Sequence, residues 1–181
     1  MSHKEKLPFI PLNIAVLTVS DTRTPDNDSS GDTLVNGALE ANHQVVARTI
    51  VKDDIYQLRS IVSQWIASES IQAILITGGT GFTSRDNTPQ ALTLLFDREV
   101  EGFGELFRAI SYEEIGTSTI QSRAFAGVAN ETVIFALPGS PNACRTGWDK
   151  IIKQQLDANH GPCNFVPHLK GVDLAACLSR D

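Results

Sequence analysis

Residues 74–92 read ILITGGTGFTSRDNTPQAL, an apolar run that breaks into three glycines, Gly78, Gly79 and Gly81, within four positions. Glycines directly after a strand permit positive φ and let the backbone come close to a ligand. Successive N–H groups in such a turn form an anion-binding nest, helped by the start of a following helix. Thr77, Gly78, Gly79, Thr80 and Gly81 are therefore candidate phosphate-binding residues. The stretch is not a nucleotide P-loop, because no Lys-Ser/Thr pair follows at the required spacing. Nor is it a dinucleotide fingerprint, because Ser84 stands where the third glycine belongs. Taken alone, a tight turn without a ligand explains it equally well.

A second glycine turn, LPGSPNA (137–143), shifts that balance. Ser140 suits a helix cap and Pro141 the first helical position, and capping alone would account for both. If the two turns share an edge, the Gly139 N–H and the Ser140 hydroxyl are further donors for one ligand. Carboxylates come next: Asp21, Asp53, Asp54 and Asp86 all follow predicted strands. An oxygen-only set suits Mg²⁺, which takes one or two carboxylates plus substrate phosphates. Helix-cap service explains Asp54 well and Asp53 fairly. It explains Asp86 less well, since Thr88 is the better cap candidate. Ser20 and Asp21, in the loop after the first strand, are candidate substrate-binding residues. Arg85, Arg23 and Arg145 would neutralise a phosphate or pair with acids at the surface. No Ser/His/Asp or Cys/His arrangement points to a covalent triad.

These loops need elements to hold them. NIAVLTVS (13–20), VVARTIV (45–51) and IQAILIT (71–77) read as strands, the first near-continuously apolar, as in a sheet buried on both faces. Between them lie helical patterns. Leu34, Val35, Ala38 and Leu39 share one face, with Ser29 a capping candidate three residues before Asp32. Ile55, Leu58, Ile61, Val62, Trp65 and Ile66 follow a 3.6-residue period. A helix opens near Pro89, another carries Phe103, Leu106, Phe107 and Ile110, and the last starts after Ser140-Pro141. AFAGVANETVIFALP is a hairpin turning at Asn130-Glu131 or a single strand after a loop. The stretch from Gly161 reads as irregular, with room for a short helix. Alternating strands and helices predict a mostly parallel sheet covered on both faces. In such sheets ligands collect outside the carboxyl ends of the strands, where all four loops would lie.

At 181 residues the chain is expected to form one domain, 41% hydrophobic and 20% charged. A net charge of −6 argues against nucleic acid as a partner but not against a small phosphorylated ligand. No apolar run has the length of a membrane span, and MSHKEKLPFIPLN is too polar for a signal peptide. Three cysteines without paired spacing suggest neither a disulfide framework nor a zinc site. A cytoplasmic setting fits best.

The blocks LTVSDTRT, DSSGDTL, ITGGTGFTSRDNTPQAL, GFGELFRAISYEEIGTSTIQSRAFAG and LPGSPNA, in this order, resemble the MoaB/MogA-like family of molybdenum cofactor biosynthesis. The resemblance covers roughly residues 12–170, leaving 171–181 as a tail, and FGELFR…SYEEIGTS looks more like the MoaB branch. It implies a three-layer α/β/α molybdopterin-binding fold that forms homotrimers or dimers of trimers. It also implies transfer of AMP from ATP to the terminal phosphate of molybdopterin, with Mg²⁺. Carried over, the Gly78–Gly81 turn binds phosphate, Asp86 is the essential aspartate, and Ser140 helps hold the pterin. Asp53 is the aspartate after the second strand, with Lys52 where proline is frequent. Branches of the family differ in whether they catalyse or only bind, so a molybdopterin- or purine-nucleotide-binding paralogue is the alternative. The aromatics Phe103, Phe107 and Tyr112 suggest that part of their segment is buried between subunits, with burial within one subunit the alternative.

Overall fold

The computed structural model describes residues 9–172; of the expected tail, 171–181, all but the first two residues lie outside them. Six strands form one sheet: β1 (Asn13–Val19), β2 (Gln44–Val51), β3 (Ala73–Thr77), β4 (Arg98–Glu99), β5 (Phe125–Ala129) and β6 (Thr132–Leu137). Their spatial order is β2-β1-β3-β6-β5-β4. The first three and β6 run parallel, while β5 is antiparallel to β6 and β4 to β5.

The helices are α1 (Ser29–Glu40), α2 (Ile55–Ala67), α3 (Thr88–Leu92), α4 (Glu101–Ile115) and α5 (Pro141–Gly147), the last continuing through a π turn (Trp148–Ile152) into α6 (Lys153–Gln155). Side chains alternate along each central strand. Ile14, Val16, Leu75, Val133 and Phe135 pack with α1, α4 and α5, whereas Leu17, Val19, Ile74, Ile76 and Ile134 pack with α2 and α3. Both faces are thus buried, which is why these strands read as unbroken apolar runs. The result is the expected three-layer α/β/α sandwich. Phe103 and Phe107 belong to the core of one layer, with the Phe103 ring 5.1 Å from that of Phe135. The interface expectation therefore keeps only Tyr112, which is 58% exposed.

The hairpin alternative is the one observed. β5 and β6 pair through Asn130 and Glu131, both at positive φ (46° and 56°), as a two-residue turn matching strand twist requires. Among the described residues, the stretch after Gly161 holds a 3₁₀ turn at Val166–His168. Two helix starts differ from expectation. Asp28, not Ser29, caps α1: its carboxylate accepts from the Gly31 N–H at 3.0 Å, and Ser29 is already helical. Thr88 does not cap α3 either. It is the first helical residue, and its hydroxyl donates to the Gly78 carbonyl at 2.9 Å.

Candidate functional site

Spatial order places β1 between β2 and β3, so the chain leaves β1 in one direction and returns on its other side at β3. A crevice opens at the carboxyl ends where such a reversal occurs. Here it is a cleft of about 540 Å³ lined by the ends of β1 (Thr18, Val19, Ser20), β3 (Thr77–Gly81) and β6 (Pro138, Gly139, Ser140). Asp86 lines the same cleft, and the far wall is built by α4 and α5 with Glu114, Ile115 and Asn142. The structure therefore brings together Ser20, Thr77, Gly78, Gly79, Thr80, Gly81, Asp86, Gly139 and Ser140.

The glycine turn is held by its surroundings. Gly78 (φ +103°) donates its N–H to Leu137 at 3.0 Å, and the carbonyls of Gly78 and Gly79 accept the hydroxyl and N–H of Thr88. The Gly81 N–H is drawn to the Asp86 carboxylate. The cradle expected over the whole turn is thereby narrowed: among the described residues, the N–H groups of Gly79 (φ +64°) and Thr80 have no intramolecular acceptor. These are the donors left for an anion.

Arg123, at the start of the β5 segment, organises this loop. Its guanidinium donates to the carbonyls of Thr80 (3.2 Å), Gly81 and Asp86 (2.8 Å). It also lies over the Phe82 ring, 5.1 Å from the centroid. Bonds to carbonyls fix the loop without neutralising the cation, so a positive charge remains beside the nest. Arg123 lies in the block GFGELFRAISYEEIGTSTIQSRAFAG, but its role is not legible there, because it acts on carbonyls 37 to 43 positions away.

The carboxylates divide into three environments. Asp86 accepts from the Thr83 N–H (2.8 Å) and hydroxyl (2.6 Å). Partial burial works to raise its pKa, but these bonds, the Gly81 N–H and the Arg123 charge outweigh it and hold the carboxyl below the ordinary value. Asp53 stands behind the loop, outside the cleft lining, taking the Asn87 N–H at 3.0 Å. A Cβ on Gly79 would lie 2.5 Å from its Oδ2. Burial pushes its carboxyl up, against the Asn87 bonds, and the negative charges of Asp86 and Asp21 push the same way. Asp21 also lies outside the lining and pairs with Arg85.

Hydroxyl placement shows similar economy. Ser20 Oγ accepts the N–H groups of Thr22 and Arg23, and Ser140 Oγ accepts that of Ala143, so both brace their own turns. Thr77, fully buried, donates to Pro138 and joins the β3 and β6 loops. Asp28 (0% exposed) lines the floor of the cleft, where it accepts from Thr18 (2.8 Å) and pairs with Arg48 (2.9 Å). It was invisible as a site residue in the sequence, where DNDSSGD reads as a polar loop.

Among the described residues no three Asp, Glu, His or Cys side chains converge closely enough to hold a metal by themselves. The oxygen donors beside the glycine turn are the carboxylates of Asp53, 2.5 Å from a Cβ placed on Gly79, and Asp86, 2.8 Å from one placed on Gly81. A cation between them would offset two negative charges, with ligand phosphates completing its shell as Mg²⁺ prefers.

Comparison with known proteins adds the lineage. Residues 15–158 match the family described as "Probable molybdopterin binding domain". The chain is 62% identical over 162 residues to molybdenum cofactor biosynthesis protein B of Escherichia coli K12, covering 90% of this chain and 95% of that protein. A crystal structure of a molybdenum cofactor biosynthesis protein B superposes with a TM-score of 0.79 at 42% identity, covering 81% of this chain and 92% of the other. The tungsten cofactor synthesizing protein MoaB of Pyrococcus furiosus superposes with a TM-score of 0.73 at 38% identity, with the same coverages.

Proposed function

The chain belongs to the molybdopterin-binding family of molybdenum cofactor biosynthesis proteins, and on that premise we propose that it transfers AMP from ATP to the terminal phosphate of molybdopterin. The observation that carries this reading is the glycine turn itself. Among the described residues the N–H groups of Gly79 and Thr80 have no intramolecular acceptor, both residues line a cleft at the strand reversal, and the Arg123 guanidinium braces the same loop. That is a seat for a phosphate monoester.

In the reaction a phosphate oxygen of molybdopterin attacks the α-phosphorus of ATP, the bond to the β-phosphate bridging oxygen breaks, and pyrophosphate leaves with that electron pair. No protein nucleophile is required; the chain aligns the two phosphates and offsets their charge. Gly79 and Thr80 hold the attacking phosphate, Arg123 braces their loop from outside the cleft lining, and the Gly139 N–H and Ser140 support the phosphate from the β6 side. Asp53 and Asp86 would hold Mg²⁺, which supplies Lewis-acid stabilisation of the transferring phosphoryl group when bound. Asp86, held as the carboxylate, is in the protonation state this needs.

A second reading has its own support. The Asp86 carboxylate is engaged by Thr83 and Gly81, and Asp53 lies outside the cleft lining. A loop so braced suits a module that binds molybdopterin or a purine nucleotide, ATP or GTP, without transfer. Incubation with molybdopterin, ATP and Mg²⁺ separates the two: adenylylated product supports the enzyme, and bound pterin without product supports the module. Pterin-independent nucleotide hydrolysis would overturn both.

We place the protein in the cytoplasm as a homotrimer or dimer of trimers, open to contact with other cofactor-biosynthesis proteins. Leu106, Tyr112, Ile115 and Ile120 are all exposed apolar residues on the segment from α4 onward, which supports an interface there. A monomer by sedimentation at micromolar concentration would refute it.

A further inference from the structure

The cleft carries one carboxylate that phosphate binding does not explain. Glu114 lies in the last turn of α4, on the wall built with α5. Asp28 in the same cleft is paired with Arg48, and Asp86 is folded onto its own loop. Glu114 has neither kind of partner. It accepts from the Asn142 side-chain amide at 2.9 Å and from the Thr146 hydroxyl at 3.2 and 3.3 Å. Among the described residues it makes no ion pair. Two neutral donors from α5 thus hold a carboxyl group in a cleft whose other end carries the phosphate nest.

That placement is unfavourable for a polyanion unless the part of the ligand beside Glu114 carries N–H donors. The two turns are close: a Cβ on Gly139 would lie 3.3 Å from the Gly78 Cα, and Asn142 follows Gly139 by three positions. One cleft therefore runs from the phosphate nest to the Glu114 wall, which Ile115 also lines with an apolar surface. A carboxylate has two oxygens and about four lone-pair positions, so it retains capacity after Asn142 and Thr146.

We propose that Glu114 reads the ring of the ligand, accepting two adjacent N–H donors of a 2-amino-4-oxopyrimidine edge. This deepens the molybdopterin-binding reading and rests on it. The edge is shared by pterins and guanine. Adenine presents a ring-nitrogen acceptor at the corresponding position, which would face the carboxylate lone pairs and be repelled. Glu114 therefore sorts ligands by their ring and keeps the adenine of ATP out of this end of the cleft.

Glu114→Gln tests this while keeping size and an acceptor for Asn142, so a merely bracing Glu114 would tolerate it. Affinities of molybdopterin, GTP, ITP (which lacks the 2-amino group), ATP and pyrophosphate are measured by calorimetry for parent and variant, beside a melting curve. The parent is expected to favour the 2-amino ligands, GTP over ITP. The variant should lose about 10- to 100-fold for the 2-amino ligands, the range of one or more charge-assisted bonds. Pyrophosphate affinity should stay unchanged, and the preference for ATP relative to GTP should rise, because an amide offers one donor and one acceptor. A loss for molybdopterin alone, or for GTP alone, identifies pterin or guanine as the source. Unchanged affinity for both, with an unchanged melting temperature, overturns the proposal. Absence of AMP transfer by the parent with its binding intact would refute the transferase reading and leave this one standing.

Discussion

Gly78→Ala offers the sharpest test of the phosphate loop, because its cost follows from geometry. Gly78 sits at φ +103°, and a Cβ there would overlap the Val19 carbonyl oxygen and lie 3.2 Å from the carbonyl carbon. Val19 ends β1, which is paired on both sides by β2 and β3, so the obstacle is backbone with nowhere to move. A side chain in a sparsely populated backbone region costs about 1–3 kcal/mol. Overpacking against a rigid neighbour adds about 1–3 kcal/mol. The loss of roughly 2–6 kcal/mol is a large part of a typical stability of about 5–15 kcal/mol. In a chain of this size it lowers the melting temperature by about 4–24 °C. The control is Gly102→Ala: Gly102 lies in the first turn of α4, and a Cβ there meets nothing within 4 Å. That change should be neutral or stabilising, by up to about 1 kcal/mol. Differential scanning calorimetry reads both, and pyrophosphate titration reads the nest. A Gly78→Ala protein that melts within about 2 °C of the parent and binds pyrophosphate equally well would refute the loop geometry.

Other outcomes follow from the same contacts. Arg123→Ala removes donors to three loop carbonyls and should weaken pyrophosphate binding by about 10-fold or more, since bonds from a charged group contribute ~1.5–3 kcal/mol; calorimetry checks it, and Arg123→Lys should rescue only in part. Asp86→Asn retains an oxygen for the Thr83 N–H and hydroxyl, so its melting curve should barely change, while AMP transfer should fall on the order of 100-fold; near-normal transfer would make Asp86 a loop brace alone. His43 Nδ1 accepts the Leu12 N–H at 3.2 Å, which requires neutral imidazole, and burial lowers its pKa against the opposing charge of Asp157. Its folded pKa lies below the ordinary 6.5, so its contribution is fully present above pH 6.5 and is lost as pH falls through the folded value. Melting curves at falling pH should show a steeper loss for the parent than for His43→Gln.

The sequence by itself determined the elements whose signal is local. Alternating side chains on β1, β3 and β6 are buried on both faces, so apolar runs announced them. Helical periodicity announced α1, α2 and α4, and the glycines after β3 announced a turn that only a residue lacking a Cβ fits. Parallel order was enough to place Ser20, Thr77–Gly81, Gly139 and Ser140 on one edge. What the sequence left open was who holds whom. Asp28 rather than Ser29 caps α1, and Thr88 serves the Gly78 carbonyl rather than its own helix. The two-residue β4 is too short to carry a period at all. Arg123 and Glu114 lie inside a block that carries the family resemblance, yet nothing local gives their roles, because each acts on partners 28 to 43 positions away. Side-chain hydrogen bonds depend on distance in space, and only the packed sheet and its helices bring those partners within reach. Tertiary structure also decided which glycine-turn N–H groups are engaged, since Leu137 and Asp86 draw two of them while, among the described residues, those of Gly79 and Thr80 have no intramolecular acceptor.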